Sequence, residues 1–97
     1  MKKIKPYVIV RSTNAGCFAG ELVSKTGDEV VLNCCRRLWY WAGAASLSQL
    51  ATEGTSKPTE CKFPPTTQGH KILGVIEVIP VEHVGRISIE SVPVWRS

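Results

Sequence analysis

The sequence predicts an α+β fold: a small, strongly bent antiparallel β-sheet or SH3/Sm-like barrel, with a short middle helix and a C-terminal helix. Three observations carry this expectation. Short β-branched runs alternate with tight turn clusters, Gly20 interrupts the second run, and two later segments repeat their apolar residues with helical spacing.

Residues 7–11 (YVIVR) are β-branched and aromatic, which suits a strand, and Ser12-Thr13-Asn14-Ala15-Gly16 supplies the turn after it. Residues 17–24 alternate roughly, with Leu22 on the Phe18 side, and Gly20 marks a bulge or bend that curls a small sheet. Lys25-Thr26-Gly27-Asp28 turns the chain into a third strand at 29–33, and short connections make the three an antiparallel meander. Residues 36–41 read as a further strand, with Arg37, Trp39 and Trp41 on one side and Arg36, Leu38 and Tyr40 on the other.

Ala42-Gly43-Ala44-Ala45 permits close backbone approach and a change of direction. A helix follows, because Leu47, Leu50 and Ala51 share one face. Ser46 and Gln49 have capping-box spacing, although Gly43 offers an earlier start, and Gly54 is a natural stop. Thr55 to Pro58 reads as a loop, and Pro64-Pro65 fits only an edge or a position outside a sheet. Residues 71–79 form the most apolar run, expected as one central strand or one covered by a second subunit. Pro80 suits the first position of a final helix running to about Glu90, with Val81, Val84 and Ile87 as its buried stripe. Trp95 is expected to dock on the body of the domain.

Ninety-seven residues without a linker or internal repeat predict one domain over 1–97. A chain this short buries only about 60–65% of its unfolded surface. Three tryptophans in so thin a core favour a homo-oligomer. The net charge of +4, to which Lys2, Lys3 and Lys5 contribute, fits an anionic partner but falls short of a nucleic-acid arm. No apolar run of about 18 residues is present, so neither export nor a membrane is predicted.

Enzyme chemistry finds little support. The four cysteines lack C-x-x-C spacing and the two histidines stand apart, so no metal site is predicted. The glutamates form no recognisable carboxylate pair, and P-loop, dinucleotide and nucleophile-elbow motifs are missing. No enzyme activity and no cofactor are expected, and the cysteines read as free thiols.

Binding chemistry concentrates in residues 36–57. Arg37, Trp39 and Trp41 could hold a base by stacking while arginine meets phosphate. Burial in the core or at a subunit interface is the more ordinary fate of two such tryptophans. Ser46, Ser48 and Gln49 at a helix start could contact an anion or simply cap the helix. Thr55 and Lys57 suit phosphate or ribose contact, or plain solvation.

The run RRLWYWAGAASLSQLA, then Glu53-Gly54-Thr55, Lys57-Pro58, Cys61-Lys62-Phe63, 77–80 and 91–95, resembles a small uncharacterised family of phage and prophage proteins. The likeness spans nearly the whole chain. In size, charge and lack of catalytic motif the chain is also similar, as a class, to phage sponges that sequester nucleotide immune signals. The Sequestin and Lockin families, directed against Thoeris defence, are of that kind. The resemblance implies a phage anti-defence protein in the host cytoplasm that binds a cyclic ADP-ribose-type or related signal without cleaving it. Arg36, Arg37 or Lys57 would meet phosphate, and Trp39 or Trp41, beside Tyr40, would stack. An Sm-like binder of single-stranded RNA and a structural or protein-inhibiting phage protein remain alternatives.

Overall fold

The computed structural model describes residues 5–96, so Lys2 and Lys3 of the basic N-terminal run lie outside the described residues. Five antiparallel strands form one curled sheet: β1 (Tyr7–Ser12), β2 (Gly16–Thr26), β3 (Glu29–Arg37), β4 (His70–Ile72) and β5 (Val75–Pro80). Their order across the sheet is β4-β3-β2-β1-β5. Two helices accompany it, α1 (Leu47–Glu53) and α2 (His83–Ser91), with a short 3₁₀ turn at Pro58–Glu60. This is the predicted α+β fold with a bent sheet that does not close.

The bend has a visible cause. The β2–β3 register slips between Ala19 and Glu21 and again between Leu22 and Ser24. A Cβ at Gly20 would stand 2.9 Å from the Asn33 carbonyl oxygen, so only glycine lets β3 fold this closely over β2. Opposite it, Cys34 takes φ 50, a conformation few non-glycine residues adopt.

Because strand side chains alternate, β1 feeds two cores. Tyr7 and Ile9 join Leu38, Leu50, Phe63 and Ile89 beneath the helices. Val8 and Val10 join Phe18, Val30, Leu32 and Ile72 on the other face. Phe18, Phe63, Leu50 and Ile89 are all fully buried, each contributing roughly 1.5–3 kcal/mol of hydrophobic stabilisation.

Helix α1 forms as its sequence indicates. Ser46 Oγ accepts the Gln49 backbone N–H at 3.1 Å, Leu50 and Ala51 are buried, and Gly54 ends the helix at φ 80. Against it, α2 lies in backbone contact: a Cβ at Gly85 would collide with the Ala51 carbonyl, and one at Gly54 with the Ser88 side chain.

Several expectations change. The third strand runs through to Arg37, and the chain leaves the sheet at Leu38, whose N–H donates to Cys17 O at 2.8 Å. Residues 71–79 are not one strand, because Gly74 turns at φ 67 between β4 and β5. Strand β5 lies at an edge of the sheet and not at its centre. Pro80 ends β5 opposite Val8, and α2 starts only at His83. Its buried face is Gly85 and Ile89, while Val84 and Ile87 are exposed, because the close helix crossing selects the residue without a side chain. Trp95 rests on the body through its backbone N–H, which donates to Phe63 O at 3.0 Å, while its side chain remains partly exposed.

Candidate ligand-binding site

Arg36 and Arg37 end β3, and alternation sends them to opposite faces: Arg36 pairs with Ala19, Arg37 with Phe18. Arg36 is buried beneath α2. Its Nη1 donates to Ile89 O at 2.9 Å and Val92 O at 2.7 Å, and its Nη2 donates to Phe63 O at 3.0 Å and Pro93 O at 3.4 Å. Its Nε donates to Pro64 O at 3.4 Å. A guanidinium has five N–H donors, and here each has a carbonyl. Desolvation lowers its pKa. Arg36 therefore secures the C-terminal end of α2 and has no donor left for a phosphate, which removes it from the predicted ligand set.

Arg37 is held differently. Its Nη1 donates to Ala15 O at 2.6 Å, and its Cζ lies 4.5 Å from the centroid of the Phe18 ring. Among the described residues no carboxylate forms an ion pair with it. The guanidinium is thus fixed in place by a carbonyl and an aromatic face, with its charge unmatched.

Trp39 and Trp41 follow after the chain has left β3. Together with Ala15, Gly16, Cys17, Arg37 and Leu38 they surround an open recess of about 260 Å³. Trp39 is 64% exposed, whereas Trp41 is half-buried and packs against the core beneath the helices. The Cys17 thiol is pushed up by burial, an effect that Arg11 partly offsets, so it stays protonated at neutral pH and is a poor nucleophile.

A second recess of about 360 Å³ lies across Arg37, bounded by Asn14, Phe18, His70, Lys71 and Leu73 among others. A third, of about 440 Å³, lies beside Tyr7, Arg36, Pro65, Glu90 and Val94. Tyr7 is nearly fully buried there, its hydroxyl has no hydrogen-bond partner among the described residues, and burial raises its pKa.

The other predicted residues do not border the tryptophan recess. Tyr40 bridges to Lys62 through paired backbone bonds of 3.3 and 2.7 Å, and the Lys62 ammonium lies 5.9 Å from its ring and 5.6 Å from that of Trp95. Ser46 and Gln49 cap α1, the Gln49 side-chain oxygen accepting the Ala45 N–H at 2.8 Å, and Ser48 is exposed on the helix. Thr55 donates its hydroxyl to Ala42 O and accepts the Lys57 N–H at 3.0 Å, while the Lys57 side chain is exposed. This brace suits Gly43, where a Cβ would meet the Lys57 and Ser56 amides.

Sequence reasoning missed Ala15, Cys17, Phe18 and His70. Each reaches the region from a distant strand or turn, and no local pattern announces it. Among the described residues no group of three or more His, Cys, Asp or Glu side chains could hold a metal ion, and no helix is long and apolar enough to cross a membrane.

No curated protein and no solved structure matches the chain. The family model described as a domain of unknown function, DUF6948, matches residues 5–89, and the chain belongs to that family.

Proposed function

We propose that this protein is a phage anti-defence protein that binds and sequesters a small nucleotide immune signal, of the cyclic ADP-ribose type or related, without cleaving it. It acts in the host cytoplasm as a homo-oligomer. The observation that supports this most is the grouping of Arg37, Trp39 and Trp41 around one recess, with a fixed unpaired cation beside an exposed indole. An indole offers a base a stacking surface, and a guanidinium offers phosphate two parallel N–H donors.

Magnitudes explain why an oligomer belongs to the reading. Stacking on an aromatic contributes about 1–3 kcal/mol per base. A charge-assisted hydrogen bond contributes about 1.5–3 kcal/mol. Sequestration near 1 nM needs about 12 kcal/mol. One open recess supplies at most about half, so the ligand must be enclosed from a further side.

A second reading, an Sm-like single-stranded RNA binder, draws on the exposed row of Tyr40, Lys62 and Trp95. Native mass spectrometry with cyclic ADP-ribose isomers, cyclic dinucleotides and short RNA separates the two. The proposal predicts an oligomer retaining an intact small nucleotide at fixed stoichiometry. Retention of RNA alone, or of nothing, would overturn it.

A further inference from the structure

Arg37 stands in the wall between two recesses. Both the tryptophan recess and the one beside His70 include Ala15 and Arg37 among their lining residues. At about 260 and 360 Å³ each lies near the lower end of small-ligand sites, which run from about 300 to 1,000 Å³. Taken as one surface they accommodate a larger ligand whose middle passes over the guanidinium.

The second recess has the chemistry to hold such an end. Phe18 forms part of its wall, and the His70 ring tilts against Phe18 with centroids 5.1 Å apart. Thr67 Oγ1 lies 2.8 Å from His70 Nδ1, which orients the imidazole and leaves Nε2 without a protein partner among the described residues. Leu73 is 58% exposed at the rim, an apolar surface that a ring can cover. Lys71 also borders the recess, but strand alternation turns its side chain to the opposite face, where it makes a solvent-exposed ion pair with Glu29 at 3.4 Å.

Resting on the nucleotide reading above, we infer that the ligand is of dinucleotide class, with two ring-bearing ends joined through phosphate. One end stacks in the Trp39–Trp41 recess, the phosphate meets Arg37, and the other end occupies a subsite made by His70 and Leu73. The unpaired charge of Arg37 favours this arrangement. A fixed, half-buried cation gains most from an anion placed directly over it, and the linker is the only part of such a ligand shared by both recesses.

The test is isothermal titration calorimetry of the full chain with adenosine monophosphate, cyclic di-adenosine monophosphate and NAD. At least one dinucleotide binds about tenfold or more tightly than the mononucleotide, about 1.4 kcal/mol. His70→Ala and Leu73→Ser each bring that dinucleotide down toward the mononucleotide and leave the mononucleotide unchanged. Trp39→Ala weakens both ligands. Leu73 is exposed, so its variant remains informative if His70→Ala lowers stability. Equal affinities, or His70 and Leu73 variants that bind the dinucleotide like the wild type, would overturn the two-subsite inference while leaving the tryptophan recess standing. Failure of every nucleotide to bind the wild type would remove both.

Discussion

Adjacent residues on a strand face opposite ways, and for Arg36 and Arg37 this separates structure from candidate function. Arg36→Ala would strand carbonyls from α2, the 63–64 loop and the C-terminal segment, and should cost about 3 kcal/mol or more in urea denaturation. Arg36→Lys, with three donors where five are used, should recover only part of that. Trp39→Ala is the contrasting case. At 64% exposure the indole contributes little to the fold, so stability should stay within about 0.5 kcal/mol of the wild type while nucleotide binding falls. Tyr7→Phe should be neutral or stabilising by about 1 kcal/mol, because it deletes a buried hydroxyl with no partner; thermal melting distinguishes this from the loss a bonded tyrosine would show. Cys35 gives a pH dependence. Burial pushes its thiol from 9.0 to about 11, so the unfolded chain releases this proton first. Stability therefore falls as pH rises through that window and is unaffected below it, by roughly 2–3 kcal/mol at full effect. Cys35→Ala should reduce that slope and leave the part due to the buried Cys17 and Tyr7.

At the scale of elements, what could be read from the sequence was local. Period-two alternation placed Arg37, Trp39 and Trp41 on one side; all three border one recess, but Leu38 from the opposite side borders it too. Trp41 packs against the core beneath the helices while Arg37 lies over Phe18 on the other face, because β3 ends at Arg37. Gly20 announced the bend, and Ser46, Gln49 and Gly54 announced both ends of α1. What failed depended on distant contacts. A helical stripe of Val81, Val84 and Ile87 looks like a buried face until the backbone of α1 arrives against Gly85, which turns Val84 and Ile87 outward. The apolar run at 71–79 concealed a turn at Gly74, whose carbonyl accepts the Thr13 N–H at 3.0 Å from across the sheet. Arg36 looked like a phosphate ligand because its five carbonyl partners come from segments about 27–57 residues away in sequence. Gly85→Ala follows from the same contact: it should separate the helices and destabilise by about 1–3 kcal/mol in chemical denaturation, despite alanine's better helix propensity.

For the whole molecule, the curled sheet brings the β1–β2 turn, the end of β3 and the β4–β5 turn to one side, where the two recesses meet at Arg37. Trp95 lies elsewhere, beside Lys62 and Tyr40, which makes the three indoles separate reporters. A nucleotide in the proposed Arg37–Trp39–Trp41 recess would change the surroundings of both indoles there. The most direct measurement follows the indole N–H resonances in two-dimensional ¹H–¹⁵N NMR, assigned by single Trp→Phe variants, while cyclic di-adenosine monophosphate and cyclic ADP-ribose are titrated in. Saturable shifts of Trp39 and Trp41 are expected, with Trp95 unmoved. Three unmoved indoles, or a shift confined to Trp95, would contradict nucleotide binding in that recess.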